Sequence, residues 1–295
     1  MTSDLVARPR GGAPRPVGRV GADAPYDKKR LSYAGTFHDP RRARFIRSIE
    51  WATGKWALIR RIRRFEAAGV PEGQAFWPAA LSVMGIEVRT PAEEVGRIPA
   101  TGPLVVVANH PHGLVDGMVL AELVGRVRED YAILTRSLLT GVEEIERFLI
   151  PVPFPHEEDA QDRFLEMRGA AMRRLASGGC VVLFPAGGVA ASERALGPAV
   201  EGEWSAFTAK MIQRSGAAVL PVRFTGQNSR AYQVANRVSA TLRQGLLIHE
   251  IARSLDRPIR PVIGHPIPPG AWRAMGPPRE MMAELRRRTL ALAPE

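Results

Sequence analysis

The stretch "ANHPHGLVDG", residues 108–117, places His110, His112 and Asp116 close together. Three readings fit such a group. A metal site would draw on both imidazoles and the carboxylate, but a catalytic zinc takes about three protein ligands. An HxHxDH site needs a carboxylate two residues past the second histidine, and that position is Leu114. The other histidines, His38, His156, His249 and His265, are scattered singly, so no metal is expected. A general base would need one imidazole with Asp116 as partner, the carboxylate fixing the ring tautomer and stabilising the imidazolium. The third reading is a solvated loop with no chemistry. Pro111 and Gly113 punctuate a turn here, and a helix from residue 114 puts Asp116 in its first turn, where the helix dipole favours negative charge. From there Asp116 can reach back to a histidine in the turn; the residues alone do not say which.

The surrounding elements must hold that group in place. The runs "IEVRT", "PLVVVAN", "YAILT", "CVVLF", "AAVLPVRF" and "IRPVIG" read as strands, apolar on both faces as buried parallel strands are. Helical patterns at 114–126, 159–177, 204–215, 231–255 and 279–292 lie between and after them. The alternation predicts an α/β fold with a mostly parallel central sheet and helices on both faces, forming one domain over 80–295. "PLVVVA" runs into "NHPHGLVDG" and "CVVLF" into "PAGGVAAS", so both polar motifs fall beyond carboxyl ends of strands, where such sheets bind ligands.

The front of the chain differs. Residues 1–68 hold 16 Lys/Arg against 6 Asp/Glu, whereas the remaining 227 hold 25 against 24, so nearly all of the net +11 sits at the front. Residues 1–27, rich in Gly, Pro and Arg, read as a disordered basic tail. Residues 28–79 read as a basic amphipathic helical segment broken near Gly54, with Phe45, Ile46, Ile49, Trp56, Ile59, Ile62 and Phe65 at helical spacing. Trp51, Trp56 and Trp77 suit a lipid headgroup boundary, and the positive field suits anionic lipid. A membrane surface is therefore the expected partner. Nucleic acid is not, because no recognition motif accompanies the charge. No apolar run reaches about 18 residues, there is no secretory signal pattern, and Cys180 stands alone. A cytoplasmic protein, peripheral on the inner face of the membrane, is expected.

"NHPHGLVDG" resembles the first motif of the glycerolipid acyltransferases related to 1-acyl-glycerol-3-phosphate acyltransferase. Their usual motif separates His and Asp by four residues; here five separate His110 from Asp116, as in the NHPxGxxDG branch that includes hemolysin-like and lyso-ornithine-lipid acyltransferases. "ILTRSLLTG…RFLIPVPF", "LFPAGGVAAS" and "AAVLPVRFTGQNS" resemble the second, third and fourth blocks, and "LRQGLLIHEI" and "RPVIGHPIP" the tail of that branch. The similarity spans about residues 80–268. The chain departs at Ala186, where the third block usually has Glu, and at Val189, roughly where it has its phosphate-binding Arg.

The resemblance implies that His110 is the base, with Asp116 as its partner, and that His112 occupies a variable position. It implies transfer of an acyl group from acyl-CoA or acyl-carrier protein, as co-substrate, to a lysolipid hydroxyl, with no cofactor. Asn109, Gly113, Phe184, Pro185, Gly187 and Gly188 are the expected substrate contacts. Among them, backbone N–H groups near Gly187–Gly188 or Gly113 would hold the oxyanion, and "FPAGG" would open a helix as an anion cradle. Arg136 and Arg223 are the candidate replacements for the missing charge. No serine or cysteine sits in a nucleophile elbow, so transfer is expected to be direct. A thioester-independent transacylase or lipase, or a non-catalytic lipid-binding member of the fold, stays open.

Overall fold

The computed structural model describes Tyr26 and residues 31–36, 39–136, 139, 141–153, 159–192, 194 and 197–294. Most of the expected tail, 1–27, lies outside these residues. Tyr26 departs from that expectation: it is buried, and its N–H donates to Glu66 Oε1 at 2.7 Å.

Among the described residues, four α-helices precede the sheet: α1 (Pro40–Thr53), α2 (Lys55–Ala67), α3 (Phe76–Val83) and the short α4 (Ala92–Val95). The break between α1 and α2 falls at Gly54, as the sequence suggested. A Cβ there would lie 2.6 Å from the Ala252 methyl, so only glycine lets the two helices turn this close to a neighbour. The α2 residues Leu58, Ile59 and Phe65 are buried in the main core, while Phe45, Trp51 and Trp56 are exposed. Trp77 does not face a lipid boundary. It is fully buried in α3, edge-on to Phe76 and Phe148, because α3 is apolar nearly all round and sits under α2.

The continuous β-branched runs become the sheet. Its elements are β1 (Leu104–Ala108), α5 (Leu114–Gly125), β2 (Tyr131–Thr135), β3 (Leu149–Pro151), α6 (Ala160–Ala176) and β4 (Cys180–Leu183). A two-stranded hairpin, β5 (Ala191–Ser192) and β6 (Ala199–Val200), leads to α7 (Ala206–Ser215) and β7 (Ala218–Arg223). Then come α8 (Arg230–Val238), α9 (Ala240–Gly245), α10 (Leu247–Ser254), β8 (Val262–Ile263) and α11 (Pro278–Ala291). The strand order is β3-β2-β4-β1-β7-β8, parallel except for β8.

Two sequence expectations shrink. "IEVRT" makes only an isolated bridge, Val88 to Ile259, at the sheet margin. The helix expected over 231–255 is three helices, because Ser239 takes an extended backbone and caps α9 through its hydroxyl.

Alternation along β1 divides the interior. Leu104, Val106 and Ala108 face a core shared with α2, α3 and α5; Val105 and Val107 face one shared with α6, α7 and α11. All five are fully buried. Each buried side chain of this size contributes about 1.5–3 kcal/mol, so β1 is a rigid base for whatever leaves its carboxyl end. Cys180 is buried in β4 beside it, and burial pushes its thiol up to about 12, which makes it inert.

Candidate active site

Residues 109–113 leave β1 at its carboxyl end, and residues 184–188 leave the neighbouring β4; Val107 and Leu183 are in register, so the two polar motifs emerge side by side. Asn109 extends the sheet beyond its last ladder bond. Its Nδ2 donates to Phe224 O at 2.8 Å and its Oδ1 accepts from Phe224 N at 2.7 Å, a side-chain imitation of strand pairing with the residue after β7. The amide is thereby committed to fixing the exit of β1. In this way Asn109 positions its neighbour His110.

Gly113, with φ +78°, turns the chain into α5. Asp116, at the third helical position, is fully buried. One of its oxygens, Oδ2, accepts three bonds: from His110 Nδ1 at 3.1 Å, His112 N at 2.8 Å and Gly113 N at 3.2 Å. The backbone bonds are the reach-back half of a capping box, so the carboxylate that orients the imidazole is itself clamped by the helix start. Because that oxygen can only accept, the Nδ1–H tautomer of His110 follows and Nε2 is left with a free lone pair. The other oxygen, Oδ1, is buried with no partner among the described residues.

The two histidines have separate duties. His112 Nε2 donates to Thr225 O at 2.8 Å and ties the turn to the loop after β7. The rings therefore do not converge. Among the described residues no group of three or more His, Cys, Asp or Glu is gathered to hold a metal ion. His249 bonds Thr53 O, while His38 and His156 lie outside the described residues.

Phe184 lies against His110, with ring centroids 3.8 Å apart and planes 23° apart. This stacking limits how the imidazole can tilt, and its place just past β4 explains why an aromatic stands there. Pro185 is buried, and its carbonyl accepts from Ser205 N at 3.0 Å.

Several expected contacts are corrected. "FPAGG" opens no helix; a turn and the β5–β6 hairpin follow it, so the expected cradle at a helix start is absent there. The Gly187 N–H is used within that turn, donating to Phe184 O at 2.9 Å, and the Gly113 N–H is used by Asp116. Gly188 is exposed, and its N–H alone of the three has no internal acceptor among the described residues. Arg223 does not face the site: its guanidinium donates to Leu292 O after α11, on the far side of the sheet. Arg136, by contrast, is exposed just past β2, which pairs in parallel with β4, so it leaves the sheet beside Phe184 and Pro185.

The sequence reading missed Glu201. It is buried between β6 and α7; its Oε2 accepts from His110 N at 3.1 Å and its Oε1 from Trp204 Nε1 at 3.1 Å. Burial raises its carboxyl pKa above the ordinary glutamate range, against the two hydrogen bonds and the nearby His110 and Arg286, which pull it down. Nothing in "VEGEWS" marks it locally, and it lies 91 residues from its partner.

A family model described as Acyltransferase matches residues 69–289, which is most of the chain and all of this site. The chain belongs to the acyltransferase family. A lyso-glycine lipid O-acyltransferase of Phocaeicola vulgatus is 28% identical to this acyltransferase over 202 residues, covering 65% of this chain. The match spans 66% of that relative's own length. The 1-acyl-sn-glycerophosphate acyltransferase PlsC of Thermotoga maritima aligns over 89% of this chain and 85% of its own, with 16% identity and a TM-score of 0.47.

Proposed function

We propose that this acyltransferase moves a fatty acyl group from an acyl thioester, on CoA or acyl carrier protein, to the hydroxyl of a lysolipid. The observation that carries the reading is the buried Asp116 carboxylate on His110 Nδ1. It leaves Nε2 as the base. A lipid hydroxyl has a pKa far above 7, so its proton passes to Nε2 as the oxygen attacks the thioester carbonyl. The C–O bond forms, the C–S bond breaks, and the imidazolium returns the proton to the departing thiolate. No acyl-enzyme forms and no cofactor is needed. The Gly188 N–H, which has no internal acceptor among the described residues, is the donor we assign to the developing oxyanion, and no other residue of "FPAGG" is assigned that role.

Two further features support the reading. An apolar cavity of about 130 Å³ opens between α2, α3 and α5, with Leu58, Phe65 and Phe76 on one side and Leu114 and Met118 on the other. The last two lie on the helix that holds Asp116, so the cavity borders the element that carries the carboxylate partner of the base. The absence of Glu and Arg at 186 and 189 argues against a phosphate monoester as acceptor, and the P. vulgatus relative acts, by its name, on a lyso-glycine lipid. A lyso-aminolipid is therefore the acceptor we favour. The test is purified protein with radiolabelled acyl-carrier protein or acyl-CoA and a panel of lyso-glycine lipid, lyso-ornithine lipid and lysophosphatidic acid. Product on an aminolipid only with thioester present is expected. Acyl transfer from diacyl phospholipid without thioester would overturn the reading.

Such an acceptor lives in a bilayer, and among the described residues no helix is long and apolar enough to cross one. We assign docking to the exposed side of α1 and α2. There Trp51 and Trp56 pack edge-on at 5.1 Å and stay exposed beside Arg47, Arg60, Arg63 and Arg64. Deleting residues 1–68 would remove Leu58, Ile59 and Phe65 from the core as well, so point substitutions are the cleaner probe. W51S/W56S is expected to weaken binding to anionic vesicles about tenfold at low salt without lowering Tm. Unchanged vesicle binding would refute this docking face.

A further inference from the structure

Ala186 stands in the turn that follows β4. The segment between β6 and α7 crosses over it. Ser205 N bonds Pro185 O, and a side chain begun at Gly202 would meet the Ala186 methyl at 3.6 Å. The residue before Gly202 is Glu201, whose carboxylate turns inward to the His110 backbone. Arg286 of α11 fixes this crossing from outside, donating to the carbonyls of Glu201 and Gly202.

We propose that Glu201 is a positioning residue for the acyl-transfer base, its carboxylate holding the His110 backbone from the β6–α7 connection. The inference rests on the reaction proposed above. His110 is held at three points that belong to different segments. Its N–H goes to Glu201, its carbonyl accepts from Ala190 N at 2.9 Å, and its ring goes to Asp116. Glu201 accepts two N–H donors and offers none, which is the arrangement of an ionised carboxylate. Its charge also attracts the imidazolium formed as the lipid hydroxyl is deprotonated, so its contribution is greater at the transition state than in the resting enzyme. The charged or titratable groups facing it are the His110 ring from the turn after β1 and Arg286 from α11; Trp204, on its own segment, is neutral.

The test compares E201A, E201Q and E201D with wild type, by steady-state kinetics on acyl thioester and lyso-glycine lipid and by the backbone amide resonance of His110. E201A is expected to lower kcat about 10–100-fold with KM changed less than about threefold. E201D is expected to recover part of that loss because it keeps the carboxylate, while E201Q, which keeps the shape and loses the charge, is not; a purely structural role for Glu201 would let E201Q recover instead. In wild type the His110 amide signal is expected far downfield. It should move upfield as pH falls through the raised Glu201 pKa, above the ordinary carboxylate range, and in E201Q it should show no such step. A flat wild-type signal, or full kcat in E201A or E201Q with Tm unchanged, overturns the proposal. A protein inactive on every lysolipid yet showing the amide step would instead sink the proposed reaction and leave the Glu201–His110 coupling standing.

Discussion

Replacing His110 with alanine is expected to lower kcat about 10²–10⁴-fold, the usual range for removing a general base, with KM within a few-fold of wild type. Nothing else near the turn can substitute. Asp116 is fully buried and already accepts three hydrogen bonds, and the His112 ring is turned away to the Thr225 carbonyl. His112→Ala is the matched control. It removes one hydrogen bond, worth about 1 kcal/mol, and is expected to leave kcat within about tenfold. Steady-state rates of the two variants on the same lysolipid decide the matter. A full-rate H110A beside an inactive H112A would reverse the assignment.

The second large effect is at Asp116, and it combines chemistry with stability. In D116N the amide oxygen can take the place of Oδ2 and accept from the same three N–H groups, which leaves an –NH₂ in the buried Oδ1 position, which has no partner among the described residues. The Nδ1–H tautomer is kept, but the charge that stabilises the imidazolium is lost. A loss of roughly 10–10²-fold in kcat is expected, with a stability cost of about 1–3 kcal/mol for the buried –NH₂. D116A behaves differently. It strands two buried N–H groups at about 1–3 kcal/mol each, and is expected to show a clear fall in the denaturation midpoint as well as in rate. Urea unfolding beside kinetics separates the two. A D116N enzyme with unimpaired kcat would mean that the carboxylate only builds the turn.

These outcomes depend on contacts of very different visibility in the sequence. The sheet was legible because "LVVVA" and "CVVL" are continuous β-branched runs with polar motifs at their carboxyl ends, and parallel buried strands require that pattern. The His110–Asp116 pair was legible because both partners lie within one turn and one helix start. What was not legible came from long-range pairing. Arg223 sits beside the site in sequence, but strand alternation sends its side chain to α11. Trp77 reads as a boundary residue on a basic segment, yet it lies on the inner side of α3, whose exposed side is Pro78 and Ser82. Ser239 gives a weak helix-breaking signal against a strong surrounding periodicity, and its capping hydroxyl wins. Glu201 meets His110 only because the β6–α7 segment crosses the end of β4. The glycines of "FPAGG" read as the opening of a helix, and that they form a turn, which consumes the Gly187 amide, depended on local backbone geometry.

The three hydrogen bonds on one oxygen of Asp116 all come from residues 110–113, within a single short peptide. The imidazole, its carboxylate and the turn that joins them are therefore spelled by one short stretch of sequence, while Ala186 and Val189 belong to a different segment. A substitution at 186 or 189 removes none of these three bonds.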